Sequence, residues 1–206
     1  MSETKTIRHI KEKYSKDSEL KRNGAGRHLF NQKVSIGNPI GNLYRKNHVL
    51  ILIKTADNNY ILGKKEGFYP DHIARFVGGG VDKDEKPLNA AVRELNEELQ
   101  IVRDSSKLVH LVEICTEAET SEGKMQMITN VYFTKLKKHE KYSANDDLSS
   151  LLEIGREEFV DLIKAMENLN TEFVTDKFSF KWTDWAKIYS PIHKIALEIE
   201  IQNKYD

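Results

Sequence analysis

The sequence predicts an α/β (α+β) fold in which a mixed β-sheet is covered by helices on both faces. Three observations predict it. Two β-rich runs, 48–55 and 60–63, are joined by a short polar turn. A glycine triplet leads directly into a proline-initiated amphipathic helix. Two longer strand-like runs then precede a tail with helical periodicity.

Taken in order, residues 1–45 are polar and rich in Lys, Asn and Gly, and read as an amino-terminal extension: a charged helix, then loops or a short strand around Lys33-Val34-Ser35-Ile36. The core domain, 46–206, includes the carboxy-terminal helices. It opens with the two β-rich runs, whose connection Ala56-Asp57-Asn58-Asn59 has hairpin turn chemistry. A further strand is expected over 73–77. The helix over 87–99 carries Pro87 in its first turn, where a missing amide donor costs nothing, and Leu88, Ala91, Val92, Leu95 and Leu99 form its apolar stripe. Strands are expected over 108–115 and 125–136, then a helix over 157–168. A last helix over 183–199 should be interrupted or kinked by Pro191, which lacks an amide hydrogen.

With 206 residues, 39% of them apolar, the chain can bury one substantial core. Lys plus Arg and Asp plus Glu each number 32, so no bulk field attracts nucleic acid or an anionic membrane, and phosphate affinity must be local. Apolar runs such as 49–53 fall well short of the roughly 20 residues that cross a bilayer, and the amino terminus lacks the apolar core of a signal peptide. A cytoplasmic location is the expectation. The single cysteine, Cys115, forms no internal disulfide and reads as a buried strand residue.

Chemistry concentrates in residues 78–101. Glu94, Glu97 and Glu98 stand at i, i+3 and i+4, so their carboxylates approach one another on a helix face. Like charges this close call for a hard divalent cation with oxygen ligands, and Mg²⁺ is the natural one, since it bridges carboxylates to substrate phosphates. That pattern points to phosphoanhydride hydrolysis. The preceding glycines let a backbone carbonyl face the metal, and Arg93 can reach Glu85 or Glu97 to orient the carboxylates.

The stretch 79–101 resembles the Nudix box, G-x5-E-x7-R-E-U-x-E-E-x-G-U, at Gly79, Glu85, Arg93, Glu94, Leu95, Glu97, Glu98 and Ile101. The resemblance implies a Nudix-type helix-sheet-helix sandwich and hydrolysis of a nucleoside diphosphate linked to another moiety: a nucleotide sugar, ADP-ribose or a nucleoside triphosphate. It also implies Mg²⁺, with Mn²⁺ as the alternative, held by Glu94, Glu97 and Glu98 with the Gly79 carbonyl as a fourth ligand. Glu94 is a candidate base, and Arg93 and Glu85 support the site. Asp146 or Asp147 is a candidate further ligand, in competition with Glu117, Glu119 and Glu122. Two positions depart from the pattern. Gln100 replaces the final glycine, so either a left-handed residue costs about 1 kcal/mol there or the helix runs on. Val77 stands where a proline often precedes the glycines.

Other features read mainly as structural. Trp182 and Trp185, with Phe178 and Phe180, form an aromatic cluster that suits core packing, with base stacking as the alternative. His28, His48, His72 and His193 lack mutual metal spacing. Lys64-Lys65 and Lys135-Lys137-Lys138 read as edge charges, with a phosphate contact as the alternative, and Arg75 is a candidate substrate-binding residue before the glycine loop. The expected partner is a small-molecule nucleotide, with homodimerisation through the extension as a further expectation. A catalytically silent, Nudix-like nucleotide-binding or sensing module is the alternative function, disfavoured because every acidic position of the box is present.

Overall fold

The computed structural model describes residues 18–22, 27–37, 45–174, 179–203 and 205. The helix expected at the amino terminus and Phe178 lie outside these residues. Among the described residues nine strands are assigned: β1 (Ser18–Arg22), β2 (His28–Ser35), β3 (Asn47–Lys54), β4 (Tyr60–Lys64), β5 (Val109–Thr120), β6 (Gly123–Lys135), β7 (Ser150–Ile154), β8 (Glu172–Val174) and β9 (Ser179–Lys181). The α-helices among the described residues are α1 (Pro87–Leu99), α2 (Arg156–Glu167) and α3 (Trp182–Asn203). The first seven strands form one sheet in the order β1-β2-β5-β6-β3-β4-β7, and β8-β9 is a separate hairpin. Parallel pairing of β2 with β5 and of β3 with β6, among antiparallel neighbours, makes the large sheet mixed.

Central β3 is buried on both faces, as its unbroken apolar run requires. Val49, Ile51 and Ile53 join Ala91, Leu95 and Leu99 of α1 in one core layer. Leu50 and Leu52 join Phe159 and Ile163 of α2 and Ile188, Ile192 and Ile195 of α3 in the other. The result is the expected helix-sheet-helix sandwich.

The hairpin turn forms where its chemistry placed it, with Asn58 left-handed at φ 67° and the Thr55 amide donating to the Asn59 carbonyl at 2.8 Å. The strand expected over 73–77 does not form as a continuous element. β3 and β4 pair only at Ile53↔Ile61 and Lys54↔Tyr60. Beyond that they part, and the chain from Arg75 to Gly80 enters the gap, bridging β4 at Gly63↔Arg75 and β3 at Ile51↔Val77 and His48↔Gly80. Because it alternates between two partners, this segment builds no ladder of its own.

β5 runs further than its expected end at 115, because the sequence 116–120 pairs with β6 through the turn at Gly123. α3 is assigned continuously across Pro191, so the proline does not interrupt it. Cys115 lies on β5 as expected, but only half-buried, with the Gln126 amide donating to its sulfur at 3.0 Å. Residues 18–22 and 28–35, on the amino-terminal side of the boundary read near residue 45, supply β1 and β2 of the main sheet. No described helix is long and apolar enough to cross a membrane.

Candidate active site

A cleft of about 790 Å³ opens where β3 and β4 part, lined from one side by α1 and from the other by α3. The gap brings both helix layers to one place. Its floor is the glycine loop, and here two glycines are required. Gly78 has φ +138°, and a Cβ on it would stand 2.2 Å from the Val49 carbonyl oxygen. A Cβ on Gly79 would stand 2.3 Å from Oε1 of Glu94, so the bare backbone is what lets that carboxylate approach.

Glu94 and Glu98, one helical turn apart, face this loop and are 6% and 3% exposed, whereas the Glu97 side chain is 44% exposed at the cleft edge. The Gly78 amide donates to Glu98 Oε2 at 2.6 Å. Burial raises the pKa of Glu94 above the usual carboxylate range, against the opposing bonds from Arg93. Burial pushes Glu98 up to about 7, with Arg75 and the Gly78 amide opposing.

Arg93 ties the constellation together. Its Nε donates to Glu85 Oε1 at 3.1 Å and its Nη2 to Glu85 Oε2 at 3.0 Å and to the Gly80 carbonyl at 2.8 Å. Its Nη1 donates to Glu94 Oε1 at 2.9 Å and Glu97 Oε2 at 2.8 Å. The bond from Arg93 lowers the Glu85 pKa. Glu85 itself lies behind the arginine, outside the cleft lining.

Arg75 lies in the cleft, with its Nη2 3.9 Å from Glu98 Oε1 and its buried Nε unmatched by a hydrogen-bond acceptor. Asp146 and Asp147 also line the cleft, and Asp147 is bonded by Lys65. Glu117 and Glu119 are instead on β5, pairing with Lys33 and Lys124, and Glu122 is in the turn beyond; none of the three lines the cleft. Lys65, one of the lysines weighed as a phosphate contact, lines the cleft, and the structure adds Arg45, His48, Tyr69 and Tyr189. Of these, only Tyr189 had a local signal, four residues after Trp185 on one face of α3. Trp182, Trp185 and Phe180 are buried as core packing predicts, yet Trp185 also borders the cleft.

Among the described residues, no three His, Cys, Asp or Glu side chains are already gathered as a metal cage, since Arg93 and Lys65 occupy several of the carboxylates. A divalent cation still fits this donor set. Two buried carboxylates with raised proton affinity lie beside a bare glycine backbone, and Mg²⁺ is commonly held by one or two carboxylates plus phosphates and waters. The Gly79 carbonyl accepts from the Val49 amide at 2.9 Å and keeps a second lone pair.

The family model described as NUDIX domain matches residues 44–181. The chain belongs to the Nudix family. That family is one of pyrophosphohydrolases. No curated protein matches the chain significantly. Among solved structures, the Nudix chain is similar to the NUDIX domain of Shewanella oneidensis NrtR complexed with ADP ribose, at 14% identity and TM-score 0.46, over 57% of this chain and 77% of that one. The E. coli dihydroneopterin triphosphate pyrophosphohydrolase gives 15% and 0.46, over 59% and 86%. A C. elegans Ap4A hydrolase gives 15% and 0.46, over 78% and 98%. The Nudix match ends at Lys181, so all of α3 lies beyond it.

Proposed function

We propose that the chain hydrolyses the pyrophosphate bond of a nucleoside diphosphate linked to another moiety, using Mg²⁺ or, in its place, Mn²⁺. The observation that carries the proposal is the pair of buried carboxylates, Glu94 and Glu98, set against the glycine loop in a cleft that also holds Arg75. Glu94, Glu97 and Glu98 would hold the metal, with the Gly79 carbonyl and Asp146 or Asp147 completing the protein donors. When bound, the cation neutralises phosphate charge and lowers the pKa of water.

The chain's own residues do the rest. Arg93, braced by Glu85, fixes Glu94 and Glu97 in place. Arg75, which lines the cleft beside Glu98, would engage a phosphate oxygen through its guanidinium. Glu94, the candidate base, would take the proton as the water oxygen bonds to one phosphorus. The bridging P–O bond breaks, and the departing phosphate keeps the electron pair. Nucleotide sugars, ADP-ribose and nucleoside triphosphates all present this bond.

Phosphate release from a panel of these substrates with Mg²⁺, measured with and without added phosphatase, tests the proposal. Glu97→Gln is expected to lower turnover of the preferred substrate by about 100-fold or more. Absence of cleavage, with a nucleotide nonetheless raising the melting temperature, would replace the hydrolase with a silent binding or sensing module.

A further inference from the structure

Beyond its acidic end the cleft has an aromatic end, and half of its rings come from outside the family match. Trp185 and Tyr189 of α3 stack at 4.9 Å with ring planes 21° apart. Tyr69 approaches Trp185 at 5.8 Å, and Phe68 meets Tyr69 edge-on at 5.1 Å. All four line the cleft. Phe173, Phe180 and Trp182 pack against Phe68 from behind and do not line it, so the core role and the cleft-facing role fall to different rings.

Phe68, in the turn between β4 and the glycine loop, is the ring left partly exposed, while Tyr69, Trp185 and Tyr189 are buried and form a fixed backing. Arg75 joins the two ends, lying between Glu98 on the acidic side and the Tyr69 hydroxyl on the aromatic side. A ligand with charge at one end and a flat ring at the other matches this order, and a cleft of about 790 Å³ is large enough for it.

Resting on the hydrolase reading, we propose that α3 and the Phe68–Tyr69 turn build the specificity wall of this cleft. The flat aromatic base of a nucleoside diphosphate seats against Phe68, with Tyr69, Trp185 and Tyr189 behind it. Diphosphates without a base would engage only the carboxylates, Arg75 and the metal.

The two tryptophans of the chain, Trp182 and Trp185, make the wall observable. In the full-length Trp182→Phe variant, emission reports Trp185 alone. With Mg²⁺ present, the non-hydrolysable α,β-methylene-ADP is expected to change that emission on saturation. Methylenediphosphonate, which carries the same charge pattern without a base, should bind by calorimetry and leave the emission unchanged. Phe68→Leu should weaken the nucleotide analogue by about five- to ten-fold, the worth of one stacked base, and move methylenediphosphonate by less than about two-fold in the same assay. Retained methylenediphosphonate binding also shows that the variant is folded. Equal affinities for the two probes, or an emission change from both alike, would overturn the wall and leave the hydrolase reading intact. Failure of both probes to bind would overturn the hydrolase reading and the wall with it.

Discussion

Arg93 shows how much one residue type decides. A guanidinium has five N–H donors in a rigid fork, and here every one is used, on Glu85, Glu94, Glu97 and the Gly80 carbonyl. A lysine offers three donors from a single point and cannot span four acceptors on a loop and a helix. Arg93→Lys is therefore expected to lower turnover by about 10- to 100-fold through misplaced carboxylates, and to weaken Mg²⁺ binding measured by calorimetry. Turnover within about two-fold of wild type would remove its positioning role. With seven residues of loop and helix between them, Glu85 was one of two partners the sequence offered Arg93, the other being Glu97, and the structure engages both. Nothing in the sequence marked Arg45 or His48, which reach the cleft from the start of β3.

At the scale of elements, α1 is the best-specified part of the chain. Its proline start, apolar stripe and length appear as read, and its far end settles the question that Gln100 raised. The helix stops: Gln100 adopts φ 59° and ψ 26°, its amide donates to the Asn96 carbonyl at 3.0 Å, and the Ile101 amide donates to the Leu95 carbonyl at 3.2 Å. A side chain in this left-handed conformation is strained relative to glycine, and the Ser143 hydroxyl bond to Gln100 Oε1 at 3.1 Å offsets part of the strain. Gln100→Gly is expected to stabilise the fold by about 0.5–1 kcal/mol, a rise of roughly 1–4 °C in a thermal melt. A lower melting temperature would show that the Ser143 contact outweighs the backbone strain. The strand expected over 73–77 failed for a reason visible only in the pairing: its apolar residues are buried, but its hydrogen bonds divide between β3 and β4.

At the scale of the molecule, His193 fastens α3 to the segment that splits the sheet. Its Nε2 accepts from the Phe76 amide at 3.0 Å, so the proton sits on Nδ1, which donates to the Tyr189 carbonyl at 2.7 Å. The ring stacks on Phe76 at 4.0 Å with planes 17° apart. Burial lowers its pKa to about 4, and burial, with Arg75 and Arg45 nearby, lowers that of His48 to about 3. Both rings are neutral when folded at pH 7, while the unfolded chain takes up their protons near pH 6.5. Above that pH the two states bind equally and the rings contribute no pH dependence. As pH falls from 6.5 toward 4 the unfolded state binds more protons and stability drops, by at most about 1.4 kcal/mol per pH unit for each ring. Burial shifts Glu98 in the opposite sense, so the comparison must be with a variant. The unfolding free energy of wild type is expected to fall more steeply between pH 7 and 5 than that of His193→Gln, and ring nitrogen NMR should show the Nδ1–H tautomer throughout. Equal slopes would mean that His193 titrates in the folded protein.

What lies within one helix or one hairpin was legible in the chain alone: the carboxylate spacing on α1, its proline start, its apolar stripe and the turn at 56–59. These are short-range consequences of a 3.6-residue or two-residue period, and a pattern carries them wherever the element ends up. Long-range packing set where β3 and β4 part, that β2 runs parallel to β5, and that Tyr69, Arg75, Trp185 and Tyr189 meet beside Glu98. Those outcomes depend on which strands pair across intervals such as that between His28 and Val112, and on which helix covers each face of the sheet. No local period encodes that choice, because it is set by the burial of every apolar face at once.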